Sequence, residues 1–114
     1  SIERAALFYP TYLLHHPDDS RAHQFYAFTL HRLGRLEEAK EEMHKGIAQN
    51  PNDPIIVYNA ACFYTLIGNK KAAIDNLKKA IENGFENYDY LRHDPDFDSL
   101  QEDADFIALM EGKQ

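Results

Sequence analysis

The stretch DSRAHQFYAFTLHRLGRLEEAKEEMHKGIAQNPND, residues 19–53, runs directly into PIIVYNAACFYTLIGNKKAAIDNLKKAIENGFEN, residues 54–87, and the two overlie one another at an offset of 34. At that spacing Asp19 falls on Asp53, Ala27 on Ala61, Gly34 on Gly68, Ala39 on Ala73 and Gly46 on Ala80, while Pro17 falls on Pro51. Apolar positions follow the same register: Leu30 with Tyr64, Leu33 with Ile67, Met43 with Leu77, Ile47 with Ile81. A period of this length is the signature of supersecondary units that stack because none can bury its apolar face alone.

Each unit reads as two helices. Asp19 and Asp53 are N-cap candidates, since a short carboxylate can accept from amides of the first turn, and Pro54 stands where a helix tolerates proline. Ala22, Tyr26, Leu30 and Leu33, then Val57, Ala61, Tyr64 and Ile67, recur every three or four residues and predict one buried stripe per first helix. Gly34 and Gly68 supply the positive φ that ends it. Leu36, Ala39, Met43 and Ile47, and Ala73, Leu77 and Ile81, predict the second helices. Ala27 against Ala39, and Ala61 against Ala73, would let two helix backbones come close. Run backwards, the offset puts Ala5 under Ala39, so residues 1–16 read as the second helix of a further repeat, interrupted or kinked by Pro10. Leu7, Phe8, Tyr12, Leu13 and Leu14 are then short of cover, as expected for part of a longer protein or for a helix covered by self-association.

The pattern resembles the tetratricopeptide repeat. The first repeat carries it through Ala27, Leu30, Ala39, Met43 and Pro51, with His23 in place of an aromatic and Gly46 in place of an alanine. The second carries it through Ala61, Tyr64, Gly68, Ala73, Leu77 and Ala80, with Phe85 in place of the proline. The resemblance implies an all-α fold, a right-handed α-α superhelix with a C-terminal helical cap. The expected organisation is a single domain of a half repeat (1–17), two repeats (18–53 and 54–86) and an acidic capping segment (87–114). That last segment, from Gly84-Phe85 through Tyr90 and Phe97 to Phe106, resembles the closing segment of bacterial multidomain chains with such repeats. Tyr90, Leu91, Phe97, Leu100, Phe106, Ile107 and Met110 are expected to bury the last helix face.

Composition sets limits on function. The 114 residues carry a formal net charge of -7 with 44% hydrophobic residues, a balance that suits a folded chain. Residues 1–85 are neutral overall and residues 86–114 hold nine acidic side chains against Arg92 and Lys113. With no basic stripe to neutralise phosphates, neither nucleic acid nor an anionic membrane is an expected partner. No run approaches the roughly 18 apolar residues of a membrane span. The single cysteine, Cys62, fits a reducing compartment, and a cytoplasmic location is expected.

The chemistry-bearing groups point away from catalysis. Asp94, Asp96, Asp98, Glu102 and Asp105 imitate a calcium loop, but Ser99 stands where the sharp turn needs glycine, and a capped, solvated loop is the better reading. The histidines make no pair four apart on a helix, and Cys62 has no oxyanion-hole motif beside it. No enzyme activity, cofactor or metal is therefore expected. By the resemblance, a peptide-binding groove would be lined by Arg21, Gln24, Phe28, His31 and Arg32 in the first repeat and by Ile55, Tyr58, Asn59, Cys62, Thr65 and Leu66 in the second. The clamp for chaperone carboxylates is disfavoured, because Gln24 and Phe28 replace its lysine and asparagine although Asn59 matches. The expected function is a protein-interaction module, with another protein or peptide as partner. Arg21, His31 and Arg32 favour an acidic segment, and Phe28 and Tyr58 offer aromatic anchors. The alternative is a structural or self-association segment, either a homodimer through the N-terminal helix or a piece packed on an upstream catalytic domain.

Overall fold

The computed structural model describes residues 1–113. It is helical, with no strand among the described residues, in the order α1 (Ile2–His15), α2 (Ser20–Arg32), α3 (Leu36–Gln49), α4 (Pro54–Leu66), α5 (Lys70–Glu82), α6 (Tyr88–His93), a 3-10 helix (Pro95–Leu100) and α7 (Ala104–Met110). The chain forms two compact units, Ser1–Pro51 and Asn52–Gln114, the last residue of the second lying outside the described ones. The all-α fold class of helix-pair repeats is thus the one the 34-residue period predicts.

In the first unit α2 and α3 form an antiparallel hairpin, with α1 against α2. Asp19 caps α2, its carboxylate accepting from the Ala22 amide at 3.0 Å and from the Tyr12 hydroxyl at 2.6 Å, so one side chain both starts α2 and ties it to α1. At the other end Gly34 takes φ 79°, and the Arg35 amide donates to the Leu30 carbonyl at 2.9 Å, closing the last turn. Ala27, Ala39, Leu30 and Met43 are fully buried between the two helices. The tightest approach is at Gly46. A Cβ built there would lie 3.0 Å from the Ser20 carbonyl oxygen and 3.0 Å from Gln24 Cγ. His23 fills its aromatic position as a buried polar group with both ring nitrogens bonded, Nδ1 to Glu42 Oε2 at 2.7 Å and Nε2 to the Pro17 carbonyl at 2.8 Å.

Three expectations for this unit are corrected. α1 runs unbroken through Pro10, which occupies an exposed position of the helix. Leu33 and Leu36 are exposed, because one is the C-cap of α2 and the other the first residue of α3, both past the level where the helices touch. Within α1 Leu7, Phe8 and Leu14 are exposed as expected, Leu7 and Leu14 at 78% each, but Leu13, expected to be short of cover, is buried.

The second unit repeats the hairpin with α4 and α5. Asp53 caps α4 through the Ile55 and Ile56 amides, Gly68 takes φ 81° after it, and Ala61, Ala73, Ala80 and Leu77 are fully buried. α5 then ends at Gly84, φ 112°, where the Phe85 amide donates to the Ala80 carbonyl at 2.9 Å. A proline at residue 85 has no proton for that bond, so the departure from the repeat pattern closes α5 and sends the chain into α6. The 3-10 helix packs on α4 and α7 on α5. Leu91, Phe97, Leu100, Phe106 and Met110 are buried there as expected, but Tyr90 and Ile107 are exposed, each standing on the outer side of a helix shorter than two and a half turns.

Two outcomes test this packing. Gly46→Ala, which in an exposed helix would stabilise by roughly 1 kcal/mol, is expected to destabilise here by about 1–3 kcal/mol through overpacking, seen as a lower urea midpoint. The Tyr12 hydroxyl bond, followed by the Ala22 amide, holds the Asp19 carboxyl below its usual value. Its contribution is therefore present above the ordinary carboxylate range and is lost as pH falls through the depressed value. In acid titrations followed by circular dichroism, Tyr12→Phe should flatten that loss; an unchanged profile would refute the coupling.

Candidate functional site

The face of α4 assigned to a ligand by the sequence is divided by the chain itself. Tyr58 and Cys62 lie under the segment that follows α5. The Tyr58 ring stacks on Phe85 at 4.4 Å between centroids and meets the edge of Phe97 at 5.5 Å, and its hydroxyl donates to Asp94 Oδ2 at 2.6 Å. Tyr58 is 5% exposed, a core side chain and not a free anchor. Burial, with the Asp94 carboxylate beside it, pushes its phenol far above the ordinary range.

What stays open on this face is an apolar cleft of about 470 Å³ walled by Ile55, Tyr58 and Asn59 of α4, the turn Gly84–Asn87, and Tyr90 of α6. Its size lies within the roughly 300–1,000 Å³ usual for ligand pockets. Ile55 is 46% and Tyr90 57% exposed at its rim, large apolar surface standing in water. The cap of α6, Asn87 accepting from the Tyr90 amide at 3.1 Å, sets the position of Tyr90. Of the sequence-assigned residues, Ile55, Tyr58 and Asn59 come together in the cleft; Cys62 is buried, Thr65 is half-buried with its hydroxyl bonded to the Ala61 carbonyl at 2.9 Å, and Leu66 is exposed at the far end of α4. Phe85, Glu86, Asn87 and Tyr90 are additions that sequence reasoning missed. The aromatic in place of proline at residue 85 was the available signal.

In the first unit Arg21 and Arg32 are exposed, Phe28 and His31 half-buried, and Gln24 buried against the Met43 sulfur at 3.5 Å, so Gln24 is a packing residue. The exposed Phe25, absent from the sequence assignment, lies beneath the Arg21 guanidinium at 5.7 Å from its ring centre.

Cys62, Asp94 and Asp96 bring one possible ligand atom each within 4.8 Å of one another. All three are engaged in the fold's own bonds. Asp94 caps the 3-10 helix through the Asp96 amide at 3.0 Å while accepting from Tyr58, and Cys62 faces the Asp96 carboxylate. Burial first, then Asp96 and Asp94, push the Cys62 thiol well above its ordinary value, which keeps it protonated and unsuited to nucleophilic attack. Asp98, Glu102 and Asp105 are exposed around capped helical turns in place of the twelve-residue loop.

Comparison with known proteins agrees with this architecture. A tetratricopeptide repeat family model matches residues 2–61, and a second tetratricopeptide repeat model matches residues 56–83. A chloroplastic protein of Arabidopsis thaliana is 30% identical over 71 residues, which are 60% of this chain and 21% of that protein. The chain thus spans about a fifth of that relative's length. No solved structure matches.

Tyr58→Phe removes the hydroxyl that satisfies buried Asp94 and is expected to lower stability by about 1.5–3 kcal/mol, the range for a bond to a charged group. Ellman's reagent at pH 8 should label Cys62 slowly in the wild type and faster in this variant. Equal rates and equal denaturation midpoints would show that the bond does not hold the closing segment down.

Proposed function

Because this chain belongs to the tetratricopeptide repeat family, whose repeats mediate protein–protein interaction, we propose that it is a non-catalytic binding module, part of a larger protein, that holds a peptide segment of a partner against the first helices of its repeats. The observation that carries this reading is the cleft on α4. It is apolar, open to solvent and rimmed by Ile55 and Tyr90, which keep about half of their surface in water. Aromatic and aliphatic side chains around a concave site are the groups that carry most of the energy in protein recognition. In the first unit the exposed Arg21, Phe25 and Arg32 offer a second, cationic contact surface on α2.

A second reading is favoured by one specific observation, the exposure of Leu7, Phe8 and Leu14 on α1. Apolar side chains so spaced along a helix are suited to self-association.

Selection of a displayed random-peptide library on the full chain should yield peptides with a shared apolar anchor. Ile55→Ser and Tyr90→Ser are expected to weaken them about tenfold, or 1.4 kcal/mol, with Leu7→Ser and Leu14→Ser leaving them unchanged. Unaltered affinity in both cleft variants would remove the cleft from the reading. Sedimentation velocity addresses the second reading: a dimer that the paired Leu7→Ser and Leu14→Ser substitutions convert to monomer would establish it, and a monomeric wild type would end it.

A further inference from the structure

We infer that the α4 cleft selects a segment in which an apolar anchor is flanked by lysine or arginine, a preference opposite in sign to the one drawn from the cations of the first unit. The inference rests on the reading of the cleft as a peptide site and names the chemistry of its occupant.

The second unit holds twelve acidic side chains against six basic ones, so nearly all of the net charge of -7 belongs to it. The cleft itself is lined by one charged side chain, Glu86, and by no lysine or arginine. Asp53 immediately precedes Pro54 at one wall, and the exposed Asp89 immediately precedes Tyr90 at another. Three of the unit's cations are committed elsewhere. Lys70 pairs with Asp103 at 2.9 Å, Lys71 with Asp75 at 2.8 Å, and the Arg92 guanidinium donates to the Met110 and Lys113 carbonyls. A cation entering beside an apolar anchor therefore meets a negative potential with no cation in the cleft lining to oppose it. A carboxylate entering there meets repulsion on top of its own desolvation, which separates the two classes of segment. Because Glu86 is at the solvent edge, the preference should be salt-sensitive over a Debye length of roughly 10 Å at 0.1 M.

The probes are three fluorescein-labelled dodecapeptides with the same centre, Ala-Leu-Leu-Phe-Ala, and flanks rich in lysine, glutamine or glutamate. Binding to the full chain is read by fluorescence polarisation at 50 and 500 mM NaCl. The lysine form should bind at least about fivefold tighter than the glutamine form and the glutamate form most weakly, with the spread collapsing at high salt. Glu86→Lys, at an exposed turn position whose folding circular dichroism checks, should cut the lysine advantage by at least half. Ile55→Ser and Tyr90→Ser should weaken all three peptides alike. Equal affinities, or preference for the glutamate form, would overturn the charge inference while leaving the cleft standing, provided Tyr90→Ser still weakens binding. A lysine preference untouched by Glu86→Lys would place the selecting charge elsewhere and overturn it too. If none of the peptides binds the wild type, the cleft reading and the inference fall together.

Discussion

Both helix hairpins depend on how closely two backbones can approach, and that distance is set by residues with almost no side chain. Ala27, Ala39, Ala61, Ala73 and Ala80 have no exposed surface, and at Gly46 even a methyl group would meet the backbone oxygen of Ser20. Close approach leaves the longer side chains Leu30, Met43, Tyr64 and Leu77 buried, and burying an apolar side chain contributes about 1.5–3 kcal/mol. A glycine inside a helix carries an intrinsic cost of about 1 kcal/mol relative to alanine; at residue 46 the gain in packing offsets it.

Several polar groups brought inside by this closeness have found partners. His23 has a partner at each ring nitrogen, Asp19 accepts from a hydroxyl and an amide, and Asn50 donates to Ser20 across the hairpin ends at 2.6 Å. Tyr58 and Asp94 do the same in the second unit. An unmatched group at any of these places would cost a few kcal/mol, so the bonds fix which end of each helix meets which. They also decide what is left for function. The hydroxyl of Tyr58 is taken by Asp94, its ring by Phe85 and Phe97, and the open cleft begins where that packing stops, at Ile55 and Tyr90.

The repeat was legible in the sequence because it is written in local rules. A cap needs a short oxygen-bearing side chain, a helix end needs a positive φ, and a tight crossing needs alanine or glycine, so Asp19, Asp53, Gly34, Gly68 and the alanines mark the hairpins by themselves. Periodicity misled at Leu33 and Leu36, because a stripe continued to the very end of a helix, its last residue or its first, ignores where the partner helix ends. It misled again at Gln24, and in part at Tyr58, which walls the cleft but is packed as core. Their register is that of a ligand-facing side, but register cannot tell water from a neighbouring segment of the same chain.

For this chain, then, residue type and spacing determined the fold class, the hairpin limits and the family, since each follows from contacts between residues near in sequence or one repeat apart. Only the tertiary structure decided which part of the α4 face stays open. That depends on the path taken after Gly84, where the Phe85 amide closes α5 and Asp94 reaches back thirty-six residues to Tyr58, a contact that no local pattern encodes.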